Sequence, residues 1–202
     1  MPEYTQRYVD DPRDLRALAH PLRLELLEAV VLHGPLTATQ AADLVGESPA
    51  NCSWHLRQLA KHGFVEEAPG GKGRERPWQR TTVGLSWGGS DGGADYQLAS
   101  QAVADVFFDR EIGRVQAARH RRQPPEWVDA TMSNQSLLWL TAKELADIDH
   151  QVRALFISHL DRHDDPGLRP PAARLVRLLA FGVPDDQSPM DSPDEEDAQP
   201  DA

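Results

Sequence analysis

The chain has 202 residues, enough for one sizeable domain or two small ones, and its formal net charge is −11. That charge is uneven, because residues 185–202 hold eight acidic and no basic residues, whereas residues 48–82 hold six basic and three acidic ones. No run approaches the roughly 18 apolar residues of a membrane span, and the first residues lack the apolar stretch of a secretory signal. The single cysteine, Cys52, excludes an internal disulfide and a thiolate cluster. We therefore expect a cytoplasmic protein without membrane association.

Residues 12–46 carry the signals of three short helices. Apolar residues at helical spacing predict a first helix, a step at Pro21 and a second helix that ends near Gly34. Thr37 and Gln40 then match a capping box, in which each side chain bonds the backbone of the other residue at the helix start. The third helix ends at Gly46.

A fourth helix is predicted over residues 48–62. Ser48 is a favourable N-cap, Pro49 suits the first helical position, and Gly63 suits the left-handed residue after the last turn. Only a narrow stripe of this helix has the character of buried residues: Cys52, Leu56, Leu59 and Ala60. The other faces are polar, cationic or aromatic, and packing in a protein core does not explain them.

A hairpin and a long helix follow. Residues 64–68 and 77–87 have strand character, and the glycine-rich residues between them predict a turn. A long helix is predicted from Ala94 to about Arg122, with an apolar side formed by Tyr96, Leu98, Val103, Val106, Phe107, Ile112 and Val115. A short helix is predicted after it, at "PPEWVDAT".

The last part of the chain predicts a small mixed segment and a disordered tail. Residues 136–140 and 173–184 have strand character. Between them, the capping box of Thr141 and Glu144 starts a helix. Its inward residues are predicted to be Leu145, Ile148, Val152, Leu155 and Phe156. Residues 185–202 are rich in proline, aspartate, serine and glutamate, and we expect them to be disordered.

Two helices joined by a tight turn and followed by a hairpin form a winged helix-turn-helix domain, whose second helix enters the major groove of DNA. Asn51 suits a bidentate contact with adenine, Arg57 suits guanine or a phosphate, and Trp54 suits a thymine methyl group or a sugar. His55 has a structural role in this interpretation. The predicted DNA-contacting residues are Thr39, Gln40, Ser48, Pro49, Ala50, Asn51, Ser53, Trp54, Arg57 and Lys61, with Lys72, Arg74 and Arg76 in the wing at 69–77.

The sequence resembles the arsenic-repressor-like (ArsR-type) winged helix-turn-helix regulators. The resemblance rests on "ALAHPLRLELLEAV", "LTATQAADLVG", "SPANCSWHLRQLAKHGFVEE" and the wing "APGGKGRERPWQ", and it covers residues 14–87 closely. It implies a homodimer, often a repressor, that leaves its operator when an effector binds. Members that sense metals carry cysteine pairs or Asp/His sets; Cys52 is alone here and the long helix has no histidine before His120. Sensing of soft metals is therefore not expected.

Other readings of the sequence remain open beside this one. "GLSWG" matches a nucleophile elbow with Ser86 as nucleophile, but no helix signal follows it and no parallel-sheet pattern surrounds it. His159 and His163 have a spacing that can bind zinc, and a solvated helix end explains them better. The acidic tail could compete with DNA for the basic face. A winged helix that binds proteins and not DNA is the main alternative.

We predict a mainly α-helical fold with a small β wing, an α+β fold in class. The DNA-binding domain is residues 11–87, and residues 94–184 form a dimerisation and effector-sensing segment of a long helix and a small α/β part. The function expected is that of a homodimeric repressor on a pseudo-palindromic double-stranded DNA operator, with no enzyme activity, cofactor or metal. A small-molecule effector would bind between the dimer helices and the C-terminal half, and would change the separation of the recognition helices.

Overall fold

The computed structural model describes residues 6–70, 76–82, 84–89 and 92–185. The chain divides into two compact units, residues 1–131 and 132–202. The long helix lies in the first unit and contributes Tyr96 and Val103 to its core. The functional division into DNA-binding and sensing segments remains a prediction.

Helices make up most of the first unit, and each begins where the sequence predicts it. Helix α1 spans Pro12–Leu18, α2 Pro21–His33, α3 Ala38–Val45 and α4 Pro49–Lys61. The capping box is formed: the Thr37 hydroxyl accepts from the Gln40 backbone N–H at 3.2 Å, and the Gln40 side chain accepts from the Thr37 N–H at 2.9 Å. Because such bonds satisfy the free N–H groups of a helix start, they fix the point at which α3 begins after α2.

Two small sheets flank these helices. Strands β2 (Val65–Glu67) and β3 (Trp78–Arg80) pair antiparallel, with Val65 opposite Arg80, and form the predicted wing. Leu36 extends this sheet through a bridge to Trp78. The second sheet was not predicted: β1 (Gln6–Tyr8) pairs in parallel with β4 (Gly84–Ser86). The sequence after β3 therefore leaves the wing and returns to the N-terminal strand.

The core of the first unit is built mainly by α1–α4, the base of the wing and the start of the long helix α5 (Ala94–Arg119). Its largest fully buried apolar side chains are Phe64, Leu15, Leu18, Leu26, Leu56 and Leu59. Helix α5 lies against α1 and α2, and an ion-pair cluster of Glu28 with Arg110 and Arg114 adds a second contact between α2 and α5. Helix α6 (Pro125–Ala130) ends the unit, and it corresponds to the short helix predicted there.

The second unit contains α7 (Ala142–Ile157), α8 (Asp161–Asp164) and a 3₁₀ turn at Pro166–Leu168. The predicted capping box of α7 is formed by Thr141 and Glu144. The described part of this unit, residues 132–185, buries no side chain, and Trp139 is 82 % exposed. None of the described helices of the chain is long and apolar enough to cross a membrane.

Three expectations for the second unit are wrong. Residues 136–140 and 173–184 form no strand, because neither apolar run has a neighbouring strand to pair with among the described residues. The apolar side of α7 does not face a core: Leu145 and Val152 are half-buried, whereas Leu155 is 71 % exposed. The fold class is nevertheless confirmed as mainly helical with a small β wing.

Candidate nucleic-acid interface

Helix α4 is attached to its domain by one narrow side, as predicted. Cys52, Leu56 and Leu59 have no exposed surface, and His55, on the same side, is 5 % exposed. Burial raises the pKa of the Cys52 thiol above its ordinary value, so this cysteine stays protonated and packs as a small apolar residue. The opposite side of the helix is left outside the core.

That opposite side carries an exposed stripe, which we call the outer stripe of α4. Ala50, Trp54, Arg57 and Lys61 are all exposed and recur at intervals of four, three and four residues, so they lie on one helical face over about 16 Å. Trp54 is 51 % exposed, and its ring meets the edge of the buried His55 ring at 4.7 Å. The stripe therefore combines two cations with an aromatic ring whose orientation is fixed from beneath.

The N-terminal end of α4 presents the polar groups that the sequence singles out. The Ser48 hydroxyl accepts from the Asn51 N–H at 3.2 Å and caps the helix, while Pro49 and Ala50 form its exposed first turn. The Asn51 amide donates to a Glu47 carboxylate oxygen at 3.0 Å, which fixes the direction in which the amide points. Ser53 is half-buried on the flank of the helix.

Helix α3 supplies two predicted residues, and one has a structural role. Thr39 and Gln40 are both exposed at the start of α3. The Gln40 side-chain oxygen is used by the capping box, so only its amide nitrogen remains suited to a DNA contact.

The wing is described at its base. Arg76 is exposed and pairs with Glu67 across the two strands at 2.9 Å, so its charge is partly neutralised by its own hairpin. The predicted contacts at Lys72 and Arg74 lie outside the described residues. Both strands of the wing continue from the core that holds α4, since Phe64 follows the helix and Trp78 packs against that core.

The C-terminal end of α4 is held by a group of residues that sequence reasoning missed. Arg7 of β1 donates to the backbone carbonyl of His62 at 2.8 Å, pairs with Asp14 of α1, and lies 4.7 Å from the centre of the Phe64 ring. Asp14 also contacts the His62 ring at 2.8 Å. We call Arg7, Asp14 and His62 the end clamp. It joins a strand and a helix from the start of the chain to the last turn of α4.

Glu47 and Arg7 differ in whether the sequence could have revealed them. Glu47 and Asn51 are four residues apart at a helix start, a spacing at which polar side chains meet, so this pair was accessible to sequence reasoning. Arg7 and His62 are separated by 55 residues, and no local pattern links them.

Comparison with known proteins supports the helix-turn-helix part of this description. Residues 18–68 match a protein-family model described as a helix-turn-helix domain. No protein with a curated description matches the chain.

Three solved structures resemble the chain only weakly. RV1404 from Mycobacterium tuberculosis is 16 % identical over 58 % of this chain and 78 % of its own, with a TM-score of 0.32. The transcriptional regulator Tm0710 from Thermotoga maritima is 13 % identical over 66 % and 78 %, with a TM-score of 0.30. Apo MarR from E. coli is 15 % identical over 70 % and 87 %, with a TM-score of 0.29. The family match and the geometry together give this chain a winged helix-turn-helix domain of the kind that DNA-binding regulators use.

Proposed function

We propose that the protein is a sequence-specific transcriptional repressor that binds a pseudo-palindromic operator as a homodimer, with α4 in the major groove and the wing on the DNA backbone or in the minor groove. The observation that carries this proposal is the outer stripe of α4. A helix anchored along one side and polar, cationic and aromatic along the other has the shape and chemistry that a major groove about 12 Å wide admits.

Each group on α4 has a distinct part in this proposal. Arg57 supplies a guanidinium for guanine or a phosphate, and Lys61 supplies a phosphate contact further along the helix. Asn51, oriented by Glu47, keeps its oxygen and a second N–H for the edge of an adenine. The positive end of the α4 dipole, at Ser48, also favours a phosphate.

The dimer contact is assigned to the outward side of α5. Tyr96, Ala99 and Val103 of this helix are buried in the core of their own unit, so a partner meets the opposite side. That side carries Leu98, which is 68 % exposed, together with the exposed Phe108 and Ile112. Isolated exposed apolar residues are common, but three on one helical face suit a symmetric contact. A two-fold dimer would then contact half-sites about one helical turn, or ~34 Å, apart.

The proposal is tested by titrating the full chain with its own upstream DNA and with scrambled DNA, using fluorescence anisotropy between about 50 and 200 mM salt. We expect specific binding with a steep negative slope of log affinity against log salt. Arg57→Gln should weaken specific binding by roughly 5- to 150-fold and reduce the preference for the specific sequence. Arg121→Gln, an equal change of charge at an exposed position after α5, is the matched control.

Two results would contradict the proposal. Equal affinity for both DNAs in the wild type, unchanged by Arg57→Gln, would favour the alternative of a winged helix that binds proteins. If the chain stays monomeric in light scattering and still binds DNA specifically, the proposed homodimer is wrong. Leu98→Lys is expected to abolish dimers and to weaken operator binding together, since a charge in an apolar contact is costly.

A further inference from the structure

Three basic side chains meet where α2 begins, at the side of α4 that faces its own domain. The rings of His20 and His55 lie 4.5 Å apart between centroids, tilted by 45°, and the Trp54 ring lies 4.7 Å from the His55 ring. Arg23, in the first turn of α2, acts electrostatically on both histidines. We call His20, Arg23 and His55 the basic cluster. It is therefore in direct contact with a residue of the proposed DNA-binding surface.

The basic cluster has polar atoms that the rest of the described chain does not satisfy. The Nδ1 atoms of His20 and His55 and the Nε of Arg23 are buried without a hydrogen-bond partner among the described residues. His55 is 5 % exposed, so it cannot obtain its missing bond from bulk water. A buried polar group without a hydrogen bond is costly to a fold, and three such atoms in one place point to a partner of the opposite polarity.

The charge of the cluster indicates the sign of that partner. Arg23 is partly buried and forms no ion pair within the part of the chain that the structure describes, and this burial lowers its pKa. Burial also lowers the pKa of both histidines, and the charge of Arg23 lowers it further. Glu47 opposes this effect at His55, but it is already bonded to Asn51. The cluster thus lacks negative charge.

The start of α2 adds positive electrostatic potential at the basic cluster. This helix has 13 residues, and its N-cap is His20, whose side chain makes no capping bond. The N-terminus of such a helix carries about half a positive charge, which favours phosphate. This contribution comes from the helix dipole, because Pro21 has no N–H and the Arg23 N–H donates to the His20 carbonyl at 3.1 Å. A helix start, a partly buried arginine and a buried unpartnered histidine therefore converge on one place.

We propose that the basic cluster is a phosphate site that holds one backbone phosphate of the operator next to α4. The inference rests on the proposed function and adds a contact outside the recognition helix and the wing. Arg23 and His20 are partly exposed and form the reachable part of the site, while His55 lies beneath them and positions both His20 and Trp54. A phosphate here would supply the missing negative charge, and would fix the angle at which α4 enters the groove.

Proton uptake should accompany this binding. A phosphate favours the protonated imidazole, so the pKa of His20 rises in the complex from its lowered value in the free protein. A group with a higher pKa in the bound state adds affinity that is present at low pH and lost as pH rises through the bound-state pKa. DNA affinity should therefore increase as pH falls from about 8 to 6. The groups that act on the two histidines are Arg23 and Glu47, besides each other.

The test compares the wild type with Arg23→Gln, His20→Gln and Arg57→Gln, using the full chain and both upstream and scrambled DNA. Arg23→Gln should weaken binding to both DNAs about tenfold or more, and should reduce the salt slope by about 0.9. Its preference for the specific sequence should be unchanged, in contrast to Arg57→Gln, because a phosphate contact carries no sequence information. His20→Gln should flatten the pH dependence. Thermal melts of each variant without DNA confirm that it is folded.

The outcomes separate this inference from the proposed function. If the wild type prefers its own DNA but Arg23→Gln keeps the wild-type salt slope, the phosphate site is wrong and the proposed function stands. If the wild type shows no preference and no steep salt slope, both are wrong. A further experiment uses inorganic phosphate in place of DNA. If phosphate stabilises the wild type but not Arg23→Gln, and Arg23→Gln binds DNA as the wild type does, the site binds a free anion. That result would overturn the proposed DNA contact.

Discussion

The end clamp gives the sharpest prediction about stability, and the change that tests it is Arg7→Met. This substitution keeps the apolar length of the side chain but removes its charge and its donors. It loses a bond to the carbonyl of His62, the ion pair with Asp14 and the cation–π contact with Phe64. A charged bond to a carbonyl contributes about 1.5 kcal/mol, a partly exposed ion pair about 0.5, and the ring contact about 0.5–1. We expect a loss of about 2–3 kcal/mol in the free energy of unfolding.

The assay is equilibrium unfolding in urea, followed by far-ultraviolet circular dichroism of the full chain. Arg13→Met is the control, because Arg13 also pairs with an aspartate, Asp11, but its side chain is 80 % exposed. It should cost clearly less than Arg7→Met, because an ion pair in water contributes little to stability. A double-mutant cycle of Arg7→Met with Asp14→Asn should show a coupling of about 0.5 kcal/mol or more. Equal losses for Arg7→Met and Arg13→Met would refute the reasoning that the clamp, and not surface charge in general, holds the end of α4.

Three further predictions concern α4 and its surroundings. Ser48→Ala removes the N-cap bond and should cost about 1 kcal/mol in urea unfolding, whereas Ser53→Ala, with no capping role, should cost much less. Cys52 should react with a thiol reagent only at the rate of unfolding, because it is buried and its pKa is raised; fast modification of native protein would contradict its position. The free energy of unfolding of the free protein should fall as pH drops below about 6.5, since the lowered pKa values of His20 and His55 disfavour their protonation in the folded state. Thermal melting between about pH 5 and 8 should show a smaller loss of stability at low pH in His20→Gln than in the wild type, because one of the two histidines is removed.

The helices were predictable from the sequence because their signals are local. Each helix from α1 to α4 starts with a proline, a serine or a capping box that acts within four residues of the chain. The outer stripe of α4 follows from the same period, since the burial of Cys52, Leu56 and Leu59 leaves the opposite residues outside.

What the sequence did not reveal depends on partners distant in the chain. The pairing of β1 with β4 joins residues about 78 positions apart. A strand of three residues is also too short to show an alternation of apolar and polar residues in the sequence. The end clamp was missed for the same reason, because Arg7 and His62 are also far apart in the chain. In the second unit the sequence predicted strands that the structure does not contain. The apolar runs at 136–140 and 173–184 have strand composition, but a strand needs a neighbouring strand, and none is present among the described residues.

The parallel pairing of β1 with β4 also determines how the DNA-binding part of the chain can be isolated. The helix-turn-helix match covers residues 18–68, and a fragment cut to that range would keep α4 but lose Arg7, Asp14 and the strand that pairs with β2. It would also lose the three core residues that α5 supplies, Tyr96, Ala99 and Val103. The smallest piece that retains these contacts to α4 and its core runs from residue 6 into α5, so trimming the chain past residue 7 would remove a contact that holds the end of α4.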